Sequence, residues 1–192
     1  MLTTSLRTIF LDDGQFGAAL VLDAFNYEKA VNKGIEVKAN YNWGNFNAYG
    51  NVAVGDQKGK NIISNQFLID PDDLTFIANH YIFTDHSQTI TVSAGLSYLW
   101  EGTRFSADLI YGSGLRTDGA VPNGDSVPAY TQVNLGVSHE FTNWFAKPTT
   151  VRFDVVNLFD EVYENRDGDG IGVFAPQFGP RRAYFVGVSQ KF

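Results

Sequence analysis

The densest set of potential metal ligands in this sequence is Asn165, Asp167, Asp169 and Gly170, which match the opening of a calcium loop of the EF-hand type. Such a loop closes with a bidentate Glu at its twelfth position and is flanked by helices. Counted from Asn165 that position is Pro176, and no helical pattern lies on either side. The run therefore reads as a Gly-rich external loop whose Asp-Gly pairs make tight turns, and no metal is expected. Gly168, Gly170 and Gly172 lack the strand and helix that a dinucleotide fingerprint requires. Asp70, Asp72 and Asp73 around Pro71 form an acidic cluster able to attract a cation, with a solvated loop as the plainer account. His80, His86 and His139 are too few and too scattered for a zinc site. A membrane phospholipase would need Ser and His together on a lipid-facing surface, yet neighbours such as Ser138 and His139 point to opposite faces of a strand. His86, where a long loop meets a strand, is placed to touch a ligand or to make a turn. Neither an enzyme nor a cofactor is expected.

What remains is a set of charges, Glu36, Lys38, Arg104, Asp108, Arg152 and Asp154, and their spacing points to the elements that carry them. From Thr103 to Tyr111, Thr103, Phe105, Ala107, Leu109 and Tyr111 alternate with Arg104, Ser106, Asp108 and Ile110, so both charges share one face. Val151, Phe153 and Val155 alternate in the same way with Arg152 and Asp154. Ile35, Val37, Ala39, Tyr41 and Trp43 alternate with Glu36 and Lys38. Period-2 sorting of this kind marks strands with one apolar and one polar face. The six charges are expected to share an inward, wet face, pairing with one another or lining a transport path.

Nine candidate strands follow, at about 2–11, 16–27, 33–43, 45–56, 87–100, 102–113, 129–141, 148–158 and 182–192. Their lengths, near ten residues, and their aromatic ends favour a barrel whose apolar side meets lipid over a soluble sandwich. The connections at Asp12 to Gln15, Gly44, Glu101 and Thr142 to Lys147 are short. Those at 57–86, 114–128 and 159–181 are long, and a short connection at Glu28 to Asn32 shares their side. Long loops on one side and short turns on the other are the asymmetry of an outer-membrane barrel.

Composition agrees with this reading. No run of about 18 apolar residues suggests a helical span, and a mean hydropathy of -0.15 suits strands that alternate. Aromatic residues are 15% of the chain, with 19 Gly and no Cys, as in a β-rich protein without a disulfide framework. A net charge of -7 with scattered Lys and Arg argues against a nucleic-acid partner. The opening Met-Leu-Thr-Thr-Ser-Leu-Arg is no signal peptide. Single-chain bacterial barrels use even strand numbers, so nine strands imply either eight spanning strands or the later part of a larger barrel.

From Tyr130 the sequence resembles the C-terminal end of TonB-dependent receptors of the bacterial outer membrane. The resemblance rests on Tyr130-Thr-Gln-Val-Asn-Leu-Gly-Val-Ser138, Val156-Asn-Leu-Phe-Asp-Glu-Val-Tyr163, Gly179-Pro-Arg-Arg182 and the closing Phe185-Val-Gly-Val-Ser-Gln-Lys-Phe192. Its most specific piece is Asn157, Leu158, Phe159 and Asp160 followed by Tyr163. Gly34-Ile-Glu36 and Tyr111-Gly-Ser-Gly-Leu-Arg116 extend it upstream, so that it covers the whole chain. One departure is Gln190, where the family often has an aromatic two residues before the terminal Phe. The family's N-terminal plug and TonB-contacting segment have no counterpart in the sequence.

The resemblance implies an all-β fold of about 8–10 antiparallel, up-and-down transmembrane strands, with residues 1–192 forming the C-terminal part of a larger barrel. It implies an outer-membrane receptor that takes up a scarce nutrient of the siderophore, cobalamin, sugar or peptide class by TonB-coupled transport. This piece would supply wall, external loops and an assembly signal at Tyr184, Val186, Val188 and Phe192. The implied partners are outer-membrane lipid, the barrel-assembly machinery, a small-molecule ligand of the full-length receptor, and the TonB system through N-terminal parts alone. A complete eight-stranded barrel with a structural or adhesion role is the alternative, and a soluble β-sandwich binding module a third.

Overall fold

A computed structural model describes residues 3–5, 23–64, 69–142, 147–172 and 176–190. Seven long strands dominate: β3 (Tyr27–Trp43), β4 (Phe46–Ile62), β6 (Ile90–Trp100), β7 (Thr103–Gly112), β10 (Tyr130–Phe141), β11 (Thr149–Val156) and β14 (Ala183–Gln190). Short strands β1 (Thr3–Ser5) and β2 (Asp23–Phe25) pair with each other. β5 (Ile82–Phe83) adds to β4, β8 (Arg116–Thr117) pairs with β9 (Asp125–Ser126), and β12 (Glu164–Arg166) pairs with β13 (Gln177–Phe178). The one helix among the described residues is α1 (Pro71–Asn79).

The main sheet is antiparallel and runs β14-β11-β10-β7-β6-β4-β3, each long strand beside its neighbour in the sequence. This is up-and-down topology. Among the described residues β3 and β14 do not pair with each other, so the sheet is open. The long strands coincide with the last seven of the nine expected. The first two, at 2–11 and 16–27, lie largely outside the described residues.

Two expectations about loops need correction. Glu28 to Asn32 form no loop but belong to β3, which pairs without interruption with β4 from Lys29↔Lys60 to Trp43↔Phe46. Both faces of this stretch are polar, so the hydrophobic alternation disappears while the backbone ladder continues. Gly34 sits opposite Gly55, where a Cβ would lie 2.8 Å from the Val54 carbonyl oxygen. The connection at 57–86 is likewise not irregular throughout, because β4 runs on to Ile62 and α1 follows. The acidic cluster is the start of that helix. Asp70 caps it, its Oδ1 accepting from the Asp72 N–H at 2.8 Å, Pro71 opens the first turn, and Asp72 and Asp73 face the positive end of the helix dipole.

Register aligns side chains into rows across the whole sheet. One apolar row runs Trp43, Phe46, Tyr98, Phe105, Val137, Phe153, Val186, and the row above it Tyr41, Ala48, Leu96, Ala107, Leu135, Val155, Tyr184. The opposite face carries the row Asn42, Asn47, Ser97, Ser106, Gly136, Asp154, Phe185. Many large side chains of the apolar face are exposed: Ile35 and Trp43 are each 75% exposed and Val186 74%. Large apolar side chains left outside in continuous rows need an apolar solvent. From Ile35 to Trp43 the band measures about 27 Å along the strand, matching a hydrocarbon layer crossed at a tilt.

The tight turns sit at one end. Gly44, with φ of 54°, and Asn45 join β3 to β4, while Glu101 and Gly102, with φ of 47° and 79°, make the two-residue turn from β6 to β7. Such turns match the right-handed twist of a hairpin. At the other end a compact core of Phe25, Ile62, Ile69, Ile77, Ile82 and Ile171 joins α1 to the ends of the strands.

The row assignment has a direct test. Leu109→Arg, on the apolar face near mid-band, should destabilise the barrel by about 2–4 kcal/mol in urea unfolding from lipid vesicles, whereas Ile110→Arg on the polar face should be tolerated.

Candidate functional site

The polar face gathers all six charges singled out in the sequence. Lys38 Nζ lies 3.1 Å from Glu36 Oε1, which also accepts from Asn51 Nδ2 at 3.0 Å. Arg152 Nε lies 2.6 Å from Asp154 Oδ2, and Arg104 Nη1 donates to Ser97 Oγ at 3.3 Å. Asp108 sits in the row of Asn40, Tyr49, Gly95 and Asn134. Neighbours of mixed sign thus pair along the strands and leave no single-signed field. At the loop end of this face a cleft of about 580 Å³ is lined by Asn32, Glu36, Gln57, His86, Gln88 and Thr91.

The rim of the face is tied by the motif after β11. Asn157 is fully buried with φ of 52°, a conformation that Asn tolerates better than most residues. Its N–H donates to Asn134 Oδ1, its Nδ2 to the Glu161 and Pro180 carbonyls, and its Oδ1 accepts the Glu161 N–H, each at 2.9 Å. Asn134 Oδ1 also accepts from Gln132 Nε2 at 2.9 Å, and Gln132 Oε1 accepts the Tyr163 hydroxyl at 3.0 Å. Tyr163 stacks on Tyr130 with ring centroids 4.2 Å apart. Leu158 N–H donates to the Val133 carbonyl at 2.7 Å, and Phe159 projects outward, 72% exposed. Asp160 accepts from Arg181 Nε at 2.8 Å and Nη2 at 2.5 Å, and from the Arg182 N–H at 2.9 Å. The Arg181 guanidinium holds the Asp160 carboxyl well below the usual carboxylate range, with help from the Arg182 N–H. Asn157, Asp160 and Tyr163 therefore lock β10 and β11 to the approach to β14.

Beyond the rim three long connections interlock. Asn123, fully buried, donates through Nδ2 to the Phe83 and Ile171 carbonyls at 2.9 Å each and accepts the Ile171 N–H at 2.8 Å. Thr117 Oγ1 donates to Asp167 Oδ2 at 2.5 Å, and Asp167 Oδ1 accepts the Asp169 N–H at 3.0 Å. Asp167 is thus engaged in joining loops and making a turn. Among the described residues no group of His, Asp and Glu is arranged to hold a metal. Arg116 lies over the Phe83 ring, 3.6 Å from its centroid, and donates to Thr89 Oγ1 at 2.5 Å.

Asp85 is buried and contacts the His86 ring, whose other side meets Arg166. Burial pushes the Asp85 carboxyl up to about 7 despite the opposing pull of Arg166, and burial with the Arg166 charge pushes His86 down. His86 thus makes a turn, its neighbour Ser87 donating through its N–H to the Thr84 carbonyl, and also borders the cleft.

The remaining sites fall as follows. Tyr184, Val186 and Val188 stand on the apolar face of β14, opposite Val155, Phe153 and Val151. Phe192 lies outside the described residues. His139 faces the apolar side and its Nδ1 pairs with Thr103 Oγ1 at 2.8 Å, while Ser138 lies on the polar face opposite Arg104 and Arg152. Sequence reasoning did not single out Asp85, Arg116, Asn123 or Arg166. Gln132 and Asn134 carried a signal, being polar positions at period 2 inside the quoted β10 run. The buried Asn123 carried none beyond a turn-forming Pro-Asn-Gly.

A sheet with an apolar outside, a paired polar inside, tight turns at one end and locked loops at the other is the wall of an outer-membrane β-barrel. Residues 4–158 match the family model described as TonB dependent receptor-like, beta-barrel, and the chain belongs to that family. Its members are transporters of the bacterial outer membrane, not enzymes. The match ends at Leu158, so Asp160, Tyr163 and β14 lie beyond the matched span. No curated protein matches the chain at a significant level.

Asn157→Ala would leave the Glu161 N–H and the Pro180 and Glu161 carbonyls unpartnered, for an expected loss on the order of 3 kcal/mol in urea unfolding from vesicles. The Asp85 carboxyl sits above its unfolded value of about 3.9, so its burial is harmless below that pH and stability is lost as pH rises through about 7. The depressed His86 works in the opposite direction, losing stability as pH falls. Asp85→Asn isolates the first effect: amide exchange at Ile82, Phe83, Arg116 and Thr117 should slow at pH 8 relative to the parent protein and match it at pH 4.

Proposed function

We propose that residues 1–192 form the C-terminal part of the barrel of a receptor that imports a scarce nutrient by TonB-coupled transport. The ligand class would be a siderophore, cobalamin, a sugar or a peptide. The observation that carries this reading is the open sheet, apolar on one face and polar on the other, with unpaired edges at β3 and β14 among the described residues. A complete eight-stranded barrel with a structural or adhesion role is the alternative, and its eighth strand would be the one expected at 16–27, which lies largely outside the described residues. The polar face would form the lumen wall, with Glu36, Lys38, Arg104, Asp108, Arg152 and Asp154 facing a plug or the transport path. The interlocked loops and the cleft beside His86 would meet ligand arriving from outside. Tyr184, Val186 and Val188, exposed on an edge strand, would be read together with Phe192 by the barrel-assembly machinery. The TonB system would act through other parts of the receptor.

The test is nutrient-limited growth of cells lacking the complete receptor, on a panel of siderophores, cobalamin, sugars and peptides. Loss of growth on one nutrient, reproduced by loss of TonB, is expected. Unchanged uptake of every class would overturn the import reading.

A further inference from the structure

Four of the chain's seven lysines stand together just beyond the apolar band. In β3 the apolar-face parity that gives Trp43, Tyr41, Val37 and Ile35 continues to Lys33, Val31 and Lys29. In β4 the parity of Val52 and Val54 continues to Asp56, Lys58 and Lys60. Register puts Lys29 opposite Lys60, Val31 opposite Lys58 and Lys33 opposite Asp56, with no bulge before the apolar band begins at Ile35↔Val54. Two same-sign charges directly opposite on one face destabilise a ladder unless something neutralises them.

The one carboxylate within this set is Asp56, whose Oδ2 lies 3.6 Å from Lys58 Nζ. Lys58 Nζ also stands 4.3 Å from the centroid of the Phe83 ring, and Lys60 Nζ stands 6.0 Å from that of Tyr81. Aromatic and basic side chains together at the edge of an apolar band are the combination that anchors a protein at a lipid interface. The patch is positive on a chain whose net charge is -7, and it borders the lipid-facing surface without a break.

We propose that Lys29, Lys33, Lys58 and Lys60 bind the phosphate headgroups of net-anionic lipids surrounding the barrel at the loop end, in preference to zwitterionic ones. The inference rests on the outer-membrane placement of this wall. The band ends at Ile35 and Val54, and Lys33 is the next residue on that face, about 7 Å further along the strand. Lys58, Lys29 and Lys60 continue outward at the depth where headgroups replace hydrocarbon. A headgroup phosphate lying between Lys29 and Lys60 would neutralise the like-charged pair.

The test uses the complete receptor reconstituted in nanodiscs of equal parts phosphatidylglycerol and phosphatidylcholine. Native mass spectrometry after detergent extraction counts the lipids retained. The parent protein should retain the anionic lipid over the neutral one by on the order of five-fold or more, less at high salt. Lys29→Gln, Lys33→Gln, Lys58→Gln and Lys60→Gln combined should abolish the preference, while Lys38→Gln on the opposite face should keep it. Should the fourfold variant not fold, Lys29→Gln with Lys33→Gln at the two most exposed positions should reduce the preference. Equal retention of both lipids by the parent, or an undiminished preference in the variants, would overturn the proposal while leaving the barrel intact. A parent protein that does not enter the bilayer would overturn the barrel reading as well.

Discussion

A strand in hydrocarbon has no water to satisfy its N–H and C=O groups, so every one of them must be bonded to a neighbouring strand. That constraint governs this protein. It forces β3, β4, β6, β7, β10, β11 and β14 into a continuous ladder, and the ladder fixes which side chains lie abreast. Once Phe105 faces lipid, Tyr98 and Val137 must do so too, and Ser106 must turn inward beside Ser97 and Gly136. A slip of one residue in any strand would move Arg104, Asp108 or Arg152 into the lipid, at about 2–4 kcal/mol for an Arg at mid-bilayer. Backbone pairing and side-chain sorting therefore enforce each other.

Where the ladder stops, its demand for hydrogen bonds passes to side chains. Asn157 takes over at the end of β11, answering a carbonyl and an N–H of Glu161 and the Pro180 carbonyl from one buried amide. Asp160 does the same for the turn into β14 through the Arg182 N–H, with Arg181 balancing its charge. The outer loops repeat the solution with Asn123, which joins the Phe83 carbonyl to the backbone of Ile171. Short polar side chains that match a peptide group in size suit these positions, because each must replace a missing strand neighbour.

The band and the loops meet most informatively along β3 and β4. Pairing there outlasts the apolar pattern, and the surface changes from Ile35 and Val54 to lysines without any change of backbone. Hydrophobic alternation reported where lipid begins and ends, but not where the strands do. Glu28 to Asn32 consequently read as a loop although they lie within a strand. The acidic run at Asp70, Asp72 and Asp73 read as solvated loop or ion attractor, when its role is to begin α1, a helix too short to leave a clear period in the sequence.

The amino-acid sequence by itself determined the faces. Alternation set the apolar and polar sides of the last seven expected strands, located the tight turns at Gly44 and Glu101, and placed the six charges on one side. All of this is encoded by residues two apart, and local order needs no distant partner. What the tertiary structure alone decided depends on residues far apart in the chain. Asn123 meets Phe83 and Ile171 across 40 and 48 residues, and Arg166 meets His86 across 80. The buried Asp85 and the four lysines above the lipid band likewise follow from strand register and loop packing. No local pattern encodes such meetings, because they exist only once the ladder has brought the strands side by side.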